Sequence, residues 1–87
     1  MKITNIKIRK VKNDTGNLKA VASIVIDNAF EIHDIRISDG IKGLFIGFPS
    51  RKFDDGKFKD IVHPINQETR IMMQDMILTK YKEVGEQ

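Results

Sequence analysis

Leu18-Lys19-Ala20-Val21-Ala22-Ser23-Ile24-Val25-Ile26-Asp27 is the stretch that decides the fold. Between Ala20 and Ile26 it holds only small and β-branched residues, with no glycine or proline, which is the composition of a strand. Ala20, Ala22, Ile24 and Ile26 fall on one face at the two-residue strand period. Val21, Ser23 and Val25 fall on the other and are also mostly apolar. A strand apolar on both faces reads as a central one, covered on both sides.

The flanks complete a sheet. Upstream, Asn13-Asp14-Thr15-Gly16-Asn17 is a turn with a glycine available for positive φ. Before it, Ile3, Ile6, Ile8 and Val11 interleave with Lys and Arg, so residues 2–27 read as a hairpin. The apolar parity changes between Ile3 and Ile6, and again between Ile8 and Val11. A strand cannot change its buried face without a bulge or a second covering surface. Downstream, Asp27-Asn28 is a short connection into a strand over Phe30 to Ile37, which changes parity between Ile32 and Ile35. Ser38 to Gly43 reads as a turn, and Leu44 to Phe48 as a compact apolar strand ended by Pro49.

Arg51 to Phe53 and Lys57 to Val62 flank Asp54-Asp55-Gly56, and Asp-Gly is a strong hairpin signal. A two-residue loop would set Asp54 against Lys57, Phe53 against Phe58, Lys52 against Lys59 and Arg51 against Asp60. That register predicts a cationic face of Lys52, Lys57 and Lys59 with only Asp54 opposing it. Pro64 then ends the strand region. Asn66 is a good N-cap, and Glu68 is acidic in the first turn of a helix predicted over Gln67 to Val84, with Gly85 as its stop. The predicted apolar face is Met72, Met73, Met76, Ile77, Tyr81 and Val84, with Ile71 and Leu78 on the opposite side. The expected class is α+β: one domain over residues 1–87, with a small antiparallel sheet of two or more hairpins and then a C-terminal helix.

Composition narrows the function. The chain has 87 residues, no cysteine and a net charge of +3, so disulfides and cysteine–zinc sites are excluded. No signal peptide and no membrane-length apolar run is visible, which makes the cytoplasm the expected location. Residues 1–28 hold six basic side chains against two acidic, and residues 49–70 hold five against four. Basic charge thus gathers in the first strand and in the Asp-Gly hairpin. Such a footprint suits a polyanion, and composition alone suits an ordinary solvated sheet face slightly better. A core this thin would gain from two copies sharing a surface.

Four features bear on chemistry. A two-stranded ribbon carrying Lys52, Lys57 and Lys59 fits a major groove, whereas splayed lysines at an edge also guard against aggregation. At the helix start, backbone N–H groups with Thr69 and Arg70 can take a phosphate, against which Glu68 works. Gly40-Ile41-Lys42-Gly43 matches GxxG, but flanking strands make it a tight β-turn rather than a backbone clamp. His33, Asp34, Asp39, Asp60 and His63 are the only candidates for a metal or hydrolytic site. They lack HxH or HxxxH spacing, and no nucleophile elbow, P-loop or dinucleotide motif is present. The chain therefore reads as a binder and not an enzyme, with no catalytic, cofactor or metal residue assigned.

The assembled residues resemble the stage V sporulation protein G (SpoVG) family of bacteria, from Met1 to about Tyr81. The likeness rests on Met1-Lys2-Ile3-Thr4, Ile8-Arg9-Lys10-Val11, His33-Asp34-Ile35-Arg36 and Asp39-Gly40. It continues in Gly43-Leu44-Phe45-Ile46, Pro49-Ser50-Arg51-Lys52 and Asp55-Gly56-Lys57-Phe58-Lys59-Asp60-Ile61. It closes on His63-Pro64-Ile65-Asn66 and Thr69-Arg70. The resemblance implies an α+β fold and a homodimer associated through sheet strands. It also implies a site-specific DNA-binding regulator, with RNA binding as a further property, acting in sporulation, septation or related gene control. The family's binding determinants fall here on Arg51 and Lys52, and on Gln67, Glu68, Thr69 and Arg70.

Gly47-Phe48 replaces the family's usual Ala-Met, and Ser38 its usual aliphatic residue. With Lys57 and Lys59 from the ribbon, the expected nucleic-acid contacts are Arg51, Lys52, Lys57, Lys59, Gln67, Thr69 and Arg70. No membrane or small-molecule partner is expected. The first alternative is a protein-interaction module using Ile71, Leu78 and the strand edges. The second is a metal-dependent hydrolase built on His33 and His63.

Overall fold

The central strand is where the sequence puts it. In the computed structural model, which describes residues 1–11 and 16–85, β2 (Leu18–Ile26) lies between β1 (Ile3–Lys10) and β3 (Phe30–Gly40). With β4 (Gly43–Gly47) they form a four-stranded antiparallel sheet in the order β1-β2-β3-β4. Ala20, Ala22, Ile24 and Ile26 face inward and are buried. The opposite face, with Val21, Ser23 and Val25, is half-buried, less covered than its apolar character predicts.

Two of the three parity changes are bulges, and the third, between Ile8 and Val11, falls where β1 ends at Lys10. β1 carries an extra residue between Ile3, opposite Ile26, and Asn5, opposite Val25. That slip turns Ile6 and Ile8 onto the same inward side as Ile3, against the core. In β3 the extra residue lies between Ile32, opposite Ile24, and Ile35, opposite Ala22. Asp34 sits there with φ +63, the left-handed conformation that short polar side chains tolerate. Ile32 thus packs against the core, while Ile35 and Ile37 are fully buried in it.

Asp27 and Asn28, with φ +53 and +50, make the primed turn that joins β2 to β3, closed by the Ala29 N–H donating to the Ile26 carbonyl at 2.8 Å. β3 runs further than expected, through Ser38 and Asp39, because Gly40 pairs with Gly43 and leaves only Ile41-Lys42 as the loop. The GxxG segment is accordingly the tight β-turn expected. Of the predicted 13–17 turn, Gly16 has φ +127, and residues 13–15 lie outside the described residues.

The helix α1 (Gln67–Gly85) begins as predicted, with the Asn66 side-chain oxygen accepting the Thr69 N–H at 2.7 Å. It packs mainly on β1 and β4. Its buried stripe is rotated from the expected one. Met73 and Ile77 are buried and Leu78 and Tyr81 pack beside them, while Met72 and Met76 sit at the exposed rim. Leu78 therefore faces the core and not the far side, and Ile71 alone of that pair stands out in solvent. The cause is geometric: spacing admits stripes one residue apart, and the sheet selects the one whose centre line is Met73–Ile77. No helix is long and apolar enough to cross a membrane, among the described residues.

Candidate nucleic-acid interface

After β4, Phe48 turns into the core and Pro49 ends the strand, so the following residues leave the main sheet. β5 (Ser50–Lys52) and β6 (Phe58–Asp60) form a separate two-stranded ribbon. Residues 51–63 are all exposed. β6 ends two residues before the predicted Val62, and the Ile61 N–H donates to the Pro49 carbonyl at 2.7 Å at the ribbon's base.

The register differs by one residue from that expected of a two-residue Asp-Gly loop. Ser50 pairs with Asp60, Arg51 with Lys59 and Lys52 with Phe58. The Phe53 N–H donates to the Lys57 carbonyl at 2.9 Å, so the loop is Asp54-Asp55-Gly56. Gly56 supplies the left-handed residue, φ +81, that closes a three-residue loop. The Gly56 N–H reaches back to the Phe53 carbonyl at 2.9 Å, and the Asp55 carboxylate accepts the Lys57 N–H at 3.0 Å. These bonds favour the longer loop over the two-residue one.

A one-residue slip exchanges every side chain between faces. The expected Lys52–Lys57–Lys59 face does not exist. Arg51, Lys59, Lys57 and Phe53 share one face, and Lys52 lies on the other with Phe58, Ser50 and Asp60. Like charges at Arg51 and Lys59 oppose each other directly. What intervenes is a ring. The Arg51 guanidinium is 5.8 Å and the Lys59 ammonium 5.1 Å from the centroid of Phe53. A ring face attracts cations, by about 0.5–1 kcal/mol each at an exposed site, and offsets part of their repulsion. Among the described residues, no carboxylate forms an ion pair with Arg51, Lys52, Lys57, Lys59 or Arg70.

The helix start is arranged differently. The Arg70 guanidinium is 5.6 Å from the centroid of Phe48, a buried ring, so Arg70 covers one end of the core as well as showing charge. Gln67 and Arg70 line one shallow recess with His63 and Pro64. Thr69 lines another, an apolar groove with Phe48, Val62 and Met73. The Thr69 N–H is taken by Asn66 and is not free for a phosphate. The seven expected residues thus divide: Arg51, Lys57 and Lys59 on one ribbon face, Lys52 on the other, Gln67 with Arg70, and Thr69 apart. The residue missed by sequence reasoning is Phe53, the ring between the cations. Its signal was the interleaving of Phe53 and Phe58 with Arg51, Lys52, Lys57 and Lys59.

The histidines do not converge. His33 meets the Ser23 hydroxyl at 3.2 Å and a Glu31 oxygen at 3.4 Å, and the Glu31 carboxylate also pairs with Lys7 at 3.4 Å. His63 lies 2.9 Å from the carbonyl oxygen of its own neighbour Pro64. Among the described residues no three His or carboxylate groups are placed to hold a metal ion.

The fold and this surface define a small α+β protein with a cation-and-aromatic ribbon set outside its core. The SpoVG family model matches residues 1–83, and the chain belongs to that family. It is 57% identical over 82 residues to the "Putative septation protein SpoVG" of Agathobacter rectalis, covering 94% of this chain and 93% of that one. To the protein of the same name from Caldicellulosiruptor bescii it is 52% identical over 84 residues, 97% and 94% of the two chains. To "Putative septation protein SpoVG 2" of Listeria monocytogenes it is 46% identical over 87 residues, all of this chain and 84% of the other.

Proposed function

We propose that this chain is a cytoplasmic, homodimeric regulator that binds nucleic acid, DNA first and RNA as well, through the ribbon, and that it catalyses nothing. The observation that carries the reading is the opposed pair Arg51 and Lys59, held over Phe53 with no carboxylate partner among the described residues. Two cations kept together without an internal counter-ion are a standing repulsion, which an external phosphate relieves. Lys57 extends the same face toward the loop. Lys52 adds charge behind it, and Gln67 and Arg70 offer polar contacts from the helix start. Membership of a family whose relatives carry a septation name supports a role in sporulation or septation control.

Dimerisation is part of this reading. β1 and β4 are edge strands, and Phe45 on β4 is 47% exposed. Pairing two such edges completes the hydrogen bonding of both and doubles the ribbons that face one polyanion. The test is a salt titration of binding to duplex DNA, with sedimentation to count the subunits. If a dimer neutralises roughly six phosphates, log K falls against log salt with a slope near −5. A slope close to zero removes phosphate contact as the basis of binding.

A further inference from the structure

We propose that Phe53 is a stacking platform for an unpaired base, so that the ribbon favours single-stranded nucleic acid over a closed duplex. The inference rests on the reading of the ribbon as a nucleic-acid contact and specifies which form of nucleic acid it takes. Its basis is the juxtaposition of one ring and two cations. Phe53 is 42% exposed at the root of the loop, and none of residues 51–63 is buried. The ring is therefore not a core side chain, and its polar neighbours are the Arg51 guanidinium and the Lys59 ammonium.

A nucleotide joins a flat π surface to an anionic phosphate only a few ångströms away. The ribbon face offers the complement of both parts, a ring whose surface is still 42% exposed and two cations held over it. The nearby aspartates do not cancel this. Asp60 lies on the opposite face, paired with Ser50, and Asp55 is turned into its own loop by its bond to the Lys57 N–H. Asp54 stands in the loop, beyond the strand pair.

The ring also discriminates between strand states. Phenylalanine has no donor or acceptor, so it cannot read the hydrogen-bonding edges that a duplex groove presents. Its useful surface is its face, and in a duplex the matching faces of the bases are covered by their neighbours. Wedging between stacked steps first requires separating them, a cost an unpaired strand does not carry. Because every base has a π face, Phe53 contributes affinity with little sequence preference. Sequence choice then falls to Gln67, Thr69 and Arg70.

The experiment compares three fluorescein-labelled probes by anisotropy: a short oligothymidine, an abasic strand of equal length, and a duplex. The wild-type chain binds the base-bearing strand about ten-fold or more tightly than the abasic one. Phe53→Ala abolishes that difference, with a loss on the base-bearing strand that exceeds whatever the abasic strand loses through the two cations the ring no longer holds. The chain has no tryptophan, so Phe53→Trp introduces a single indole. It keeps the preference, and its emission is quenched by oligothymidine and not by the abasic strand. Equal wild-type affinity for the two single strands overturns the stacking role and leaves phosphate binding standing. So does an equal loss on duplex and single strand in Phe53→Ala, or an unquenched indole. Failure of the wild-type chain to bind any of the three probes overturns both this inference and the reading beneath it.

Discussion

Lys59→Glu should separate the ribbon's stability from its binding. In the observed register Lys59 faces Arg51. A favourable cross-strand charge pair contributes roughly 0.2–1 kcal/mol, and a like-charged one is unfavourable, both weakened by solvent at an exposed site. Reversing the charge therefore favours the ribbon by about 1 kcal/mol. Against this stands the removal of a cation from over Phe53, about 0.5–1 kcal/mol. The two nearly cancel, leaving a net change within about 0.5 kcal/mol. For a chain of this size that is a shift in Tm of no more than ~4 °C. Binding has no such compensation. Giving up one phosphate per ribbon flattens the slope of log K against log salt by about 1, or about 2 for a dimer.

Thermal unfolding followed by circular dichroism, with salt titrations on the same samples, measures both effects. A double-mutant cycle fixes the register: Lys59→Glu should couple to Arg51→Ala and not to Lys52→Ala. Coupling to Lys52 instead would restore the two-residue loop and undo the assignment of faces. Unchanged affinity in Lys59→Glu would dismiss the ribbon face as the contact surface.

Two further outcomes test the helix. Ile77→Ala, at a fully buried position, should cost about 2–5 kcal/mol in urea unfolding, whereas Ile71→Ala at the half-exposed position should cost less than about 1 kcal/mol. Equal costs would mean that Ile71 is as deeply packed as Ile77, which neither the observed stripe nor the one predicted from spacing allows. Asn66→Ala removes the acceptor for the Thr69 N–H and should lower stability by about 1 kcal/mol, with hydrogen exchange at that amide accelerating first.

The sheet was legible because its signals are local. The alternation in β2 gave the buried set Ala20, Ala22, Ile24 and Ile26 directly. The parity break between Ile32 and Ile35 announced a bulge, although the sequence did not say which residue absorbs it, and Asp34 does so with φ +63. The helix start followed from Asn66, a local signal, while at the other end the helix includes Gly85, the last described residue, one beyond the expected Val84. What was not legible depends on choices between near-equal alternatives. Asp54-Asp55-Gly56 can close as a two- or a three-residue loop, and that choice assigns every cation of the ribbon to a face. Leu78 has the same helical spacing whether it packs inward or outward, and only the sheet beneath decides. Phe53 was hidden for the first reason, since its neighbours are known only once the register is.

The ribbon lies outside the buried cluster, and no side chain from Arg51 to His63 belongs to the core. Its surface is therefore a detachable label on a fixed chassis. On the proposed reading of the ribbon, exchanging Arg51, Phe53 or Lys59 rewrites what the protein touches while the isoleucines beneath the helix continue to hold the fold. Specificity can drift here in single steps, each one surviving because the foundations do not register it.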